Sequence, residues 1–304
     1  MPIPEKQLET WAKVGAESSA QSTYTSIRAA IDASKSSVLK NYTYEVYLQG
    51  SYINATSIYG DMDVDIVVEA TNAFYKDIDD LTDAQRAEFD RQHPGSSSVT
   101  FTGFRDAVER ALANYYGSDL VKPRNKCILV TGKSGRLDAD VVPCVQFKDY
   151  RKDESVRLPT PHVGITFWTR NDNRQIINYP KQHYENGVAK NKRVNYRLKP
   201  NVRVFKNLQN YCVDNNLLAA GVAPSYFVSC LIYNAPDAAF RPAHSDTMLA
   251  ILNWLHDLTD DQWDKLVSQN ELYYLCRDAP DLWPLKNAKA FKNAAISAWN
   301  DWGK

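Results

Sequence analysis

Between Pro4 and about Ser37 apolar residues recur at helical spacing, first Leu8, Trp11 and Ala12, then Tyr24, Ile27 and Ile31. Two helices are expected there, bracing the back of a sheet. Tyr44 to Gln49 alternates as a strand, with Val46 and Leu48 on one face. The stretch YLQGSYINATSIYGDMDVDIVVE (47–69) continues it through a Gly-Ser turn and a short connector into a second strand. Side chains alternate across a strand, so Asp61, Asp63 and Asp65 share one face, and Met62, Val64 and Ile66 the other. Residues 79–92 (DDLTDAQRAEFDRQ) predict an exposed helix capped by Asp79 or Thr82, 93–100 a loop, and 103–116 a more apolar helix. KCILVT (126–131) and RLDADVV (136–142), joined by Gly132-Lys133-Ser134-Gly135, read as a hairpin that Pro143 closes, with Asp138 and Asp140 on one face.

VGITFWT (163–169) predicts a further strand, followed by an Arg/Asn-rich segment too polar for core and too patterned for a linker. Beyond Pro200 helices are expected over 201–213, 224–234, 245–257, 260–269 and 286–302. This order predicts an α+β fold, a mixed sheet with helices and then a helical lobe. The boundary falls near Asn195, dividing the chain into 1–195 and 196–304.

Composition narrows the partners. The 304 residues suffice for two modest domains or one large one with a bilobal cleft, and 36 basic residues balance 36 acidic ones. No global positive field is present to hold long nucleic acid, which leaves small nucleotides gripped locally. Apolar runs fall short of a membrane span and the first residues lack a signal-peptide core, so a cytoplasmic protein is expected. Cys127, Cys144, Cys212, Cys230 and Cys276 are scattered and never in Cys-x-x-Cys spacing, which argues for reduced thiols and against a structural zinc.

The acids carry the chemistry. Two carboxylates about 4 Å apart repel by roughly 4 kcal/mol at an effective dielectric near 20. A cation must offset such a cluster. A nucleoside triphosphate brings about four more negative charges, and two Mg²⁺ ions, with Mn²⁺ as a substitute, balance them in a two-metal scheme. Asp63, Asp65 and Asp140 are the expected bridging ligands, with Asp138 the alternative to Asp140. Oxygen donors without His or Cys suit these hard ions rather than zinc. An isolated D-x-D is more often a solvated edge strand; the Gly-Ser turn and the second acidic strand favour the metal. Gly50 lets backbone approach a phosphate, and Ser51 with the amides that follow favours an anion.

Gly50-Ser51-x-x-x-x-Thr56 followed by Gly60-Asp61-x-Asp63-x-Asp65 resembles the DNA polymerase β-like nucleotidyltransferases. The closer resemblance is to the bacterial cGAS/DncV-like enzymes, the CD-NTases. Asp140-Val141-Val142-Pro143 resembles their third-acid motif, which is the reason to prefer Asp140. Lys206 in VRVFKNLQN and Ser225 in APSYFVSCLIYN stand where the family has a triphosphate-binding Lys and Ser. Tyr226 follows that Ser, where relatives stack a Tyr on the donor base. An ammonium suits a phosphate and a Tyr face suits any base. NYPKQHYENGVAKN and SYFVSCLIYNAP look most like clade E (CdnE), which includes makers of pyrimidine-containing cyclic dinucleotides. The resemblance runs from about Tyr44 to Pro236 and departs at Met62, where relatives often carry a small polar residue.

The resemblance implies a polymerase β-like core, a C-terminal helical lobe and a site in the cleft between them. It implies synthesis of a cyclic dinucleotide from nucleoside triphosphates, UTP and ATP being the expected pair, with pyrophosphate released. The product would signal to a cyclic-nucleotide-sensing effector in anti-phage (CBASS) defence, without long nucleic acid or membrane. Asn171 or Asn173 could pair with a uracil edge or simply serve a turn. Arg170, Arg174, Lys181 and Lys192 line a pocket mouth or remain solvated, and Asp61 serves the turn or supports the ligands from behind. Two other readings are nucleotidyl transfer to an RNA 3′ end, small molecule or protein, and an inactive nucleotide-binding regulator. Retention of every candidate acid disfavours the second.

Overall fold

Helices α1 (Glu5–Trp11) and α2 (Glu17–Ala33) precede strand β1 (Tyr44–Leu48), and the single-turn α3 (Gly50–Ile53) leads into β2 (Asp63–Asp77). Then come α4 (Asp83–Gln92), α5 (Phe101–Tyr116), β3 (Val121–Pro123), β4 (Ile128–Val130), β5 (Asp138–Asp149), β6 (His162–Trp168) and β7 (Gln175–Asn178). The remainder is helical: α6 (Pro180–Arg193), α7 (Leu198–Asp214), α8 (Ser225–Asn234), α9 (His244–Asp257), α10 (Asp260–Trp263) and α11 (Leu285–Asn300). This computed structural model describes residues 1–15, 17–35, 37–60, 63–133, 135–278 and 282–303. Asp61, Met62 and the Ser134 of the expected hairpin turn lie outside the described residues, so the expectations for them have no structural counterpart here.

Two compact units divide the chain. One comprises Glu17–Tyr52 and Met62–Lys181; the other comprises Met1–Ala16, Ile53–Asp61 and Gln182–Lys304. The first is a seven-stranded mixed sheet ordered β1-β2-β5-β4-β3, with β6 on β5 and β7 on β6. Its one parallel pair, β2 with β5, is central, and β1, β4 and β6 attach antiparallel. Ile27 and Ile31 of α2 and Phe104 and Val108 of α5 pack on the apolar face built by Val64, Ile66, Ala139 and Val141, all fully buried. Helix α4 is capped as expected by Thr82, in a capping box with Gln85.

The helical unit has its own core, with Phe205, Phe227, Leu231, Ile251 and Phe291 at its centre. Leu8 and Ala12 bury there too, and α1 packs on α7 and α9. Of the two N-terminal helices, then, α2 alone braces the sheet.

Three elements depart from the sequence expectation for identifiable reasons. Strand β5 runs through Pro143 to Asp149, where closure at Pro143 was expected. On that edge β4 pairs only as far as Val141 and β6 only from Val145, so the missing proline N–H deprives no neighbour. The helix expected over 260–269 stops at Trp263, because Asn234 binds both backbone groups of Val267 through its side chain and the chain pairs Val267 with Tyr274. The Arg/Asn-rich segment contains β7 and α6, which pattern reading did not separate. Among the described residues, no helix is long and apolar enough to cross a membrane.

Candidate active site

The parallel register of β2 and β5 sets Asp63 beside Asp138 and Asp65 beside Asp140. Neighbouring strands lie about 4.8 Å apart, and the alternation that buries Val64, Ile66, Ala139 and Val141 turns all four acids to the opposite face. Asp63 is exposed and the other three are half-buried.

The four are not equivalent. Asp138 Oδ1 accepts the Gly132 N–H at 2.7 Å and so closes the turn that precedes β5. Asp140 Oδ1 is buried without a hydrogen-bond partner, and Arg124 Nη1 stands 3.7 Å away. Burial, reinforced by the Asp140 carboxylate, pushes the Cys127 thiol up to about 12 and keeps it protonated. An anionic oxygen shielded from water without a hydrogen-bond donor is a cost that the loose, half-exposed Arg124 pair offsets only in part, and a closer cation would offset it further. Hard oxygen donors from adjacent strands suit Mg²⁺ or Mn²⁺. Among the described residues no three acidic, His or Cys side chains already close into a metal cage, so the backbone register rather than a preformed cage is what brings them together.

Gly50 stands directly against this group. Its φ is +71°, and a Cβ there would lie 2.1 Å from Asp65 Oδ2, so the carboxylate occupies the space a side chain would take. The Gln49 N–H donates to Asp65 O at 2.9 Å and ties the end of β1 to the acidic strand. Ser51 is half-buried, one residue further along.

In the helical unit, Lys206 is 2 % exposed and donates to the Thr56 carbonyl at 3.0 Å. Ser225 is exposed as the first residue of α8. Tyr226 is 44 % exposed, yet its phenol is held well above its usual range by burial and by its contact with Cys230. Its ring stacks on His183 with centroids 5.4 Å apart and tilts against Trp283 at 5.6 Å.

His183 itself has a buried Nδ1 without a partner, and burial pushes its imidazole down to about 4 from the usual 6.5. The unfolded chain binds a proton near pH 6.5 that the folded ring refuses. This contribution to stability is complete above pH 6.5 and is lost as pH falls from 6.5 toward 4. Thermal denaturation across that window should show wild type losing more stability than His183→Phe. Parallel curves for the two proteins would exclude the assignment.

Asn171 and Asn173 sit in the β6–β7 turn, both exposed. The Asn171 N–H donates to Asn125 Oδ1 at 3.0 Å, and Asn173 adopts a φ of +51°. Both therefore carry turn duties, and the geometry adds nothing toward base pairing. Of the four cations singled out in the sequence, Arg170 pairs with Glu109, Arg174 lies 3.7 Å from Asp172, and Lys192 is exposed. Lys181 bonds Glu45 at 2.8 Å and reaches Glu69 at 3.2 Å.

Glu69 was missed by sequence reasoning. It continues the even-spaced acids of β2, is 1 % exposed, and accepts from Tyr47 Oη at 2.8 Å. The Lys181 ammonium compensates it, which removes it from the group that requires an external cation. Arg203 was missed as well; its signal was the i, i+4, i+7 spacing of Lys199, Arg203 and Lys206 along α7.

Residues 185–300 match the family model of the cGAS/DncV-like nucleotidyltransferase C-terminal helical domain. The chain is 40 % identical to the cyclic UMP-AMP synthase of Rhodothermus marinus over 309 residues, covering all of both proteins. It is 32 % identical to the cyclic nucleotide synthase CdnE01 of Staphylococcus haemolyticus, covering 99 % of this chain and all of the other. The structure of the R. marinus CdnE c-UMP-AMP synthase with Apcpp and Upnpp superposes with a TM-score of 0.86 at 38 % identity, over 100 % of this chain and 98 % of that one. The parallel acidic strands followed by a helical domain are thus those of a cGAS/DncV-like nucleotidyltransferase, with a polymerase β-like core. Within that family the chain belongs to clade E, the CdnE cyclic nucleotide synthases, and is an enzyme of nucleotidyl transfer.

Proposed function

We propose that this enzyme joins two nucleoside triphosphates into a pyrimidine-containing cyclic dinucleotide of cyclic UMP-AMP or di-UMP type, releasing pyrophosphate twice. The observation that carries the chemistry is the register that sets Asp63 and Asp65 beside Asp138 and Asp140, with Asp140 Oδ1 accepting no hydrogen bond. Full-length similarity to a cyclic UMP-AMP synthase supports the choice of UTP and ATP.

Asp63, Asp65 and Asp140 are the proposed ligands of two Mg²⁺ ions, with Mn²⁺ as a substitute. Such ions neutralise the triphosphate and stabilise charge on the attacking and leaving oxygens. Asp140 accepts the proton of the attacking ribose hydroxyl: its Oδ1 takes no hydrogen bond, whereas Asp138 Oδ1 is already held by the Gly132 N–H. Gly50 admits the phosphates close to the backbone, while the hydroxyls of Ser51 and Ser225 and the Lys206 ammonium orient them. Tyr226, 44 % exposed, is the proposed partner of the donor base. Asn171 and Asn173 remain candidates for reading the acceptor base. The product is proposed to act as a cytoplasmic second messenger on a cyclic-nucleotide-sensing effector in anti-phage defence.

Incubation with all four nucleoside triphosphates and Mg²⁺, followed by mass spectrometry, tests this directly. A phosphatase-resistant species with the mass of a cyclic dinucleotide containing uracil is expected. Purine-only products would overturn the base assignment, and label appearing on added tRNA would overturn cyclisation.

A further inference from the structure

Three consecutive backbone carbonyls in an irregular, buried segment of the helical unit are each met by a donor distant in sequence. Ala55 O accepts from Arg203 Nη1, Thr56 O from Lys206 Nζ at 3.0 Å, and Ser57 O from the Gly15 N–H at 3.1 Å. Arg203 Nε also donates to Ala12 O at 2.6 Å. The segment has no sheet or helix ladder of its own, although Asn54, Thr56, Ser57 and Ile58 are all under 10 % exposed. Buried carbonyls need donors, and here two come from charged side chains of α7. The planar guanidinium fork reaches two carbonyls in fixed geometry, which an ammonium does not. Ala55 holds a φ of +52°, a conformation an alanine keeps only when its surroundings enforce it. On the other side, a Cβ at Gly15 would stand 2.6 Å from Ile58 O, so this approach is closed to any other residue.

In sequence, this segment begins three residues after Ser51 and ends five residues before Asp63. Its path therefore limits where the chain can place both. We propose that Arg203 is a positioning residue for nucleotidyl transfer, fixing the 54–58 backbone and through it the setting of Ser51 and Asp63 without touching substrate. The proposal rests on the roles given above to those two residues. Its chemistry differs from that of Lys206, which is assigned to phosphate as well as to Thr56.

The test compares Arg203→Ala, Arg203→Lys and wild type by steady-state kinetics and by hydrogen exchange of the 54–60 amides. A displacement near 1 Å costs on the order of 100-fold in rate. Arg203→Ala is expected to lose about 10- to 100-fold in kcat with KM for nucleoside triphosphates within about threefold. Exchange at 54–60 should accelerate, and added guanidinium ion should restore part of kcat. Arg203→Lys, which keeps the charge but serves one carbonyl, should lose about tenfold in kcat, also at constant KM. Should Arg203→Ala fail to fold, Arg203→Lys carries the test by the same kcat and exchange criteria. A rise of tenfold or more in KM at unchanged kcat would mean direct substrate contact and overturn the proposal. Lower thermal stability with unchanged kcat per folded molecule would reduce Arg203 to a purely structural role and overturn it too. Asp63→Ala serves as the separate control: turnover in that variant would refute the acid assignment whatever Arg203 does.

Discussion

Replacing Asp65 by asparagine should lower kcat by about 10³-fold or more while leaving the fold intact, and Asp63→Asn should behave alike. The substitution keeps shape and one oxygen but removes the charge that a hard divalent cation requires. Metal ions supply several kcal/mol of transition-state charge stabilisation, and each 1.36 kcal/mol is tenfold in rate. Stability should hold or rise, because the opposite face of β2 carries the core residues Val64 and Ile66, and one of several mutually repelling carboxylates is neutralised. The companion experiment is Asp138→Asn. An asparagine oxygen still accepts the Gly132 N–H, so kcat should remain within about tenfold of wild type, whereas Asp140→Asn should fall with Asp65→Asn. Pyrophosphate release measures the rates. Thermal denaturation with and without Mg²⁺ supplies a reading independent of turnover, since the ion should stabilise wild type and not Asp65→Asn. Near-normal release by Asp65→Asn, or a collapse on Asp138→Asn, would reassign the ligands.

That experiment depends on a relation sequence reading could approach but not reach. Period-two spacing shows that Asp63 and Asp65 share a face, and likewise Asp138 and Asp140. It says nothing about which residue of one strand faces which of the other, because their parallel pairing joins positions 75 residues apart. The elements that were overlooked bury polar groups, which hydrophobic periodicity cannot register. Helix α6 buries Gly187, Lys190 and Asn191, and Lys190 is held by the carbonyls of Tyr233 and Ala235. Arg203 escaped for the same reason: a buried cation on carbonyls looks like a surface residue in the sequence. Pro143 misled because the rule against proline in sheets concerns a ladder bond that β5 does not form there. The amphipathic pattern of α1 was correct, but amphipathicity does not specify which of two cores receives the helix.

Adding one methyl group at Gly50 should damage activity far more than stability. An alanine held at φ +71° costs about 1–2 kcal/mol in backbone strain, a modest loss for a chain of this size. The larger consequence is steric. The new Cβ would lie 2.1 Å from Asp65 Oδ2, where ordinary contact begins beyond 3 Å, so the carboxylate must move by about an ångström. Because the obstacle is the end of a side chain, the fold yields cheaply and the ligand geometry does not survive. Gly50→Ala is expected to lower kcat about 100-fold. Gly117→Ala supplies the control, since its φ is +87° and its Cβ would meet nothing within 4 Å. At φ 87° and ψ 147° the backbone strain is larger, and it should there lower the melting temperature without changing kcat. If displacement of Asp65 is the cause, Gly50→Ala should add little to the defect of Asp65→Asn, because the two changes disable one element. Fully additive losses would instead place the role of Gly50 in its own contact with phosphate.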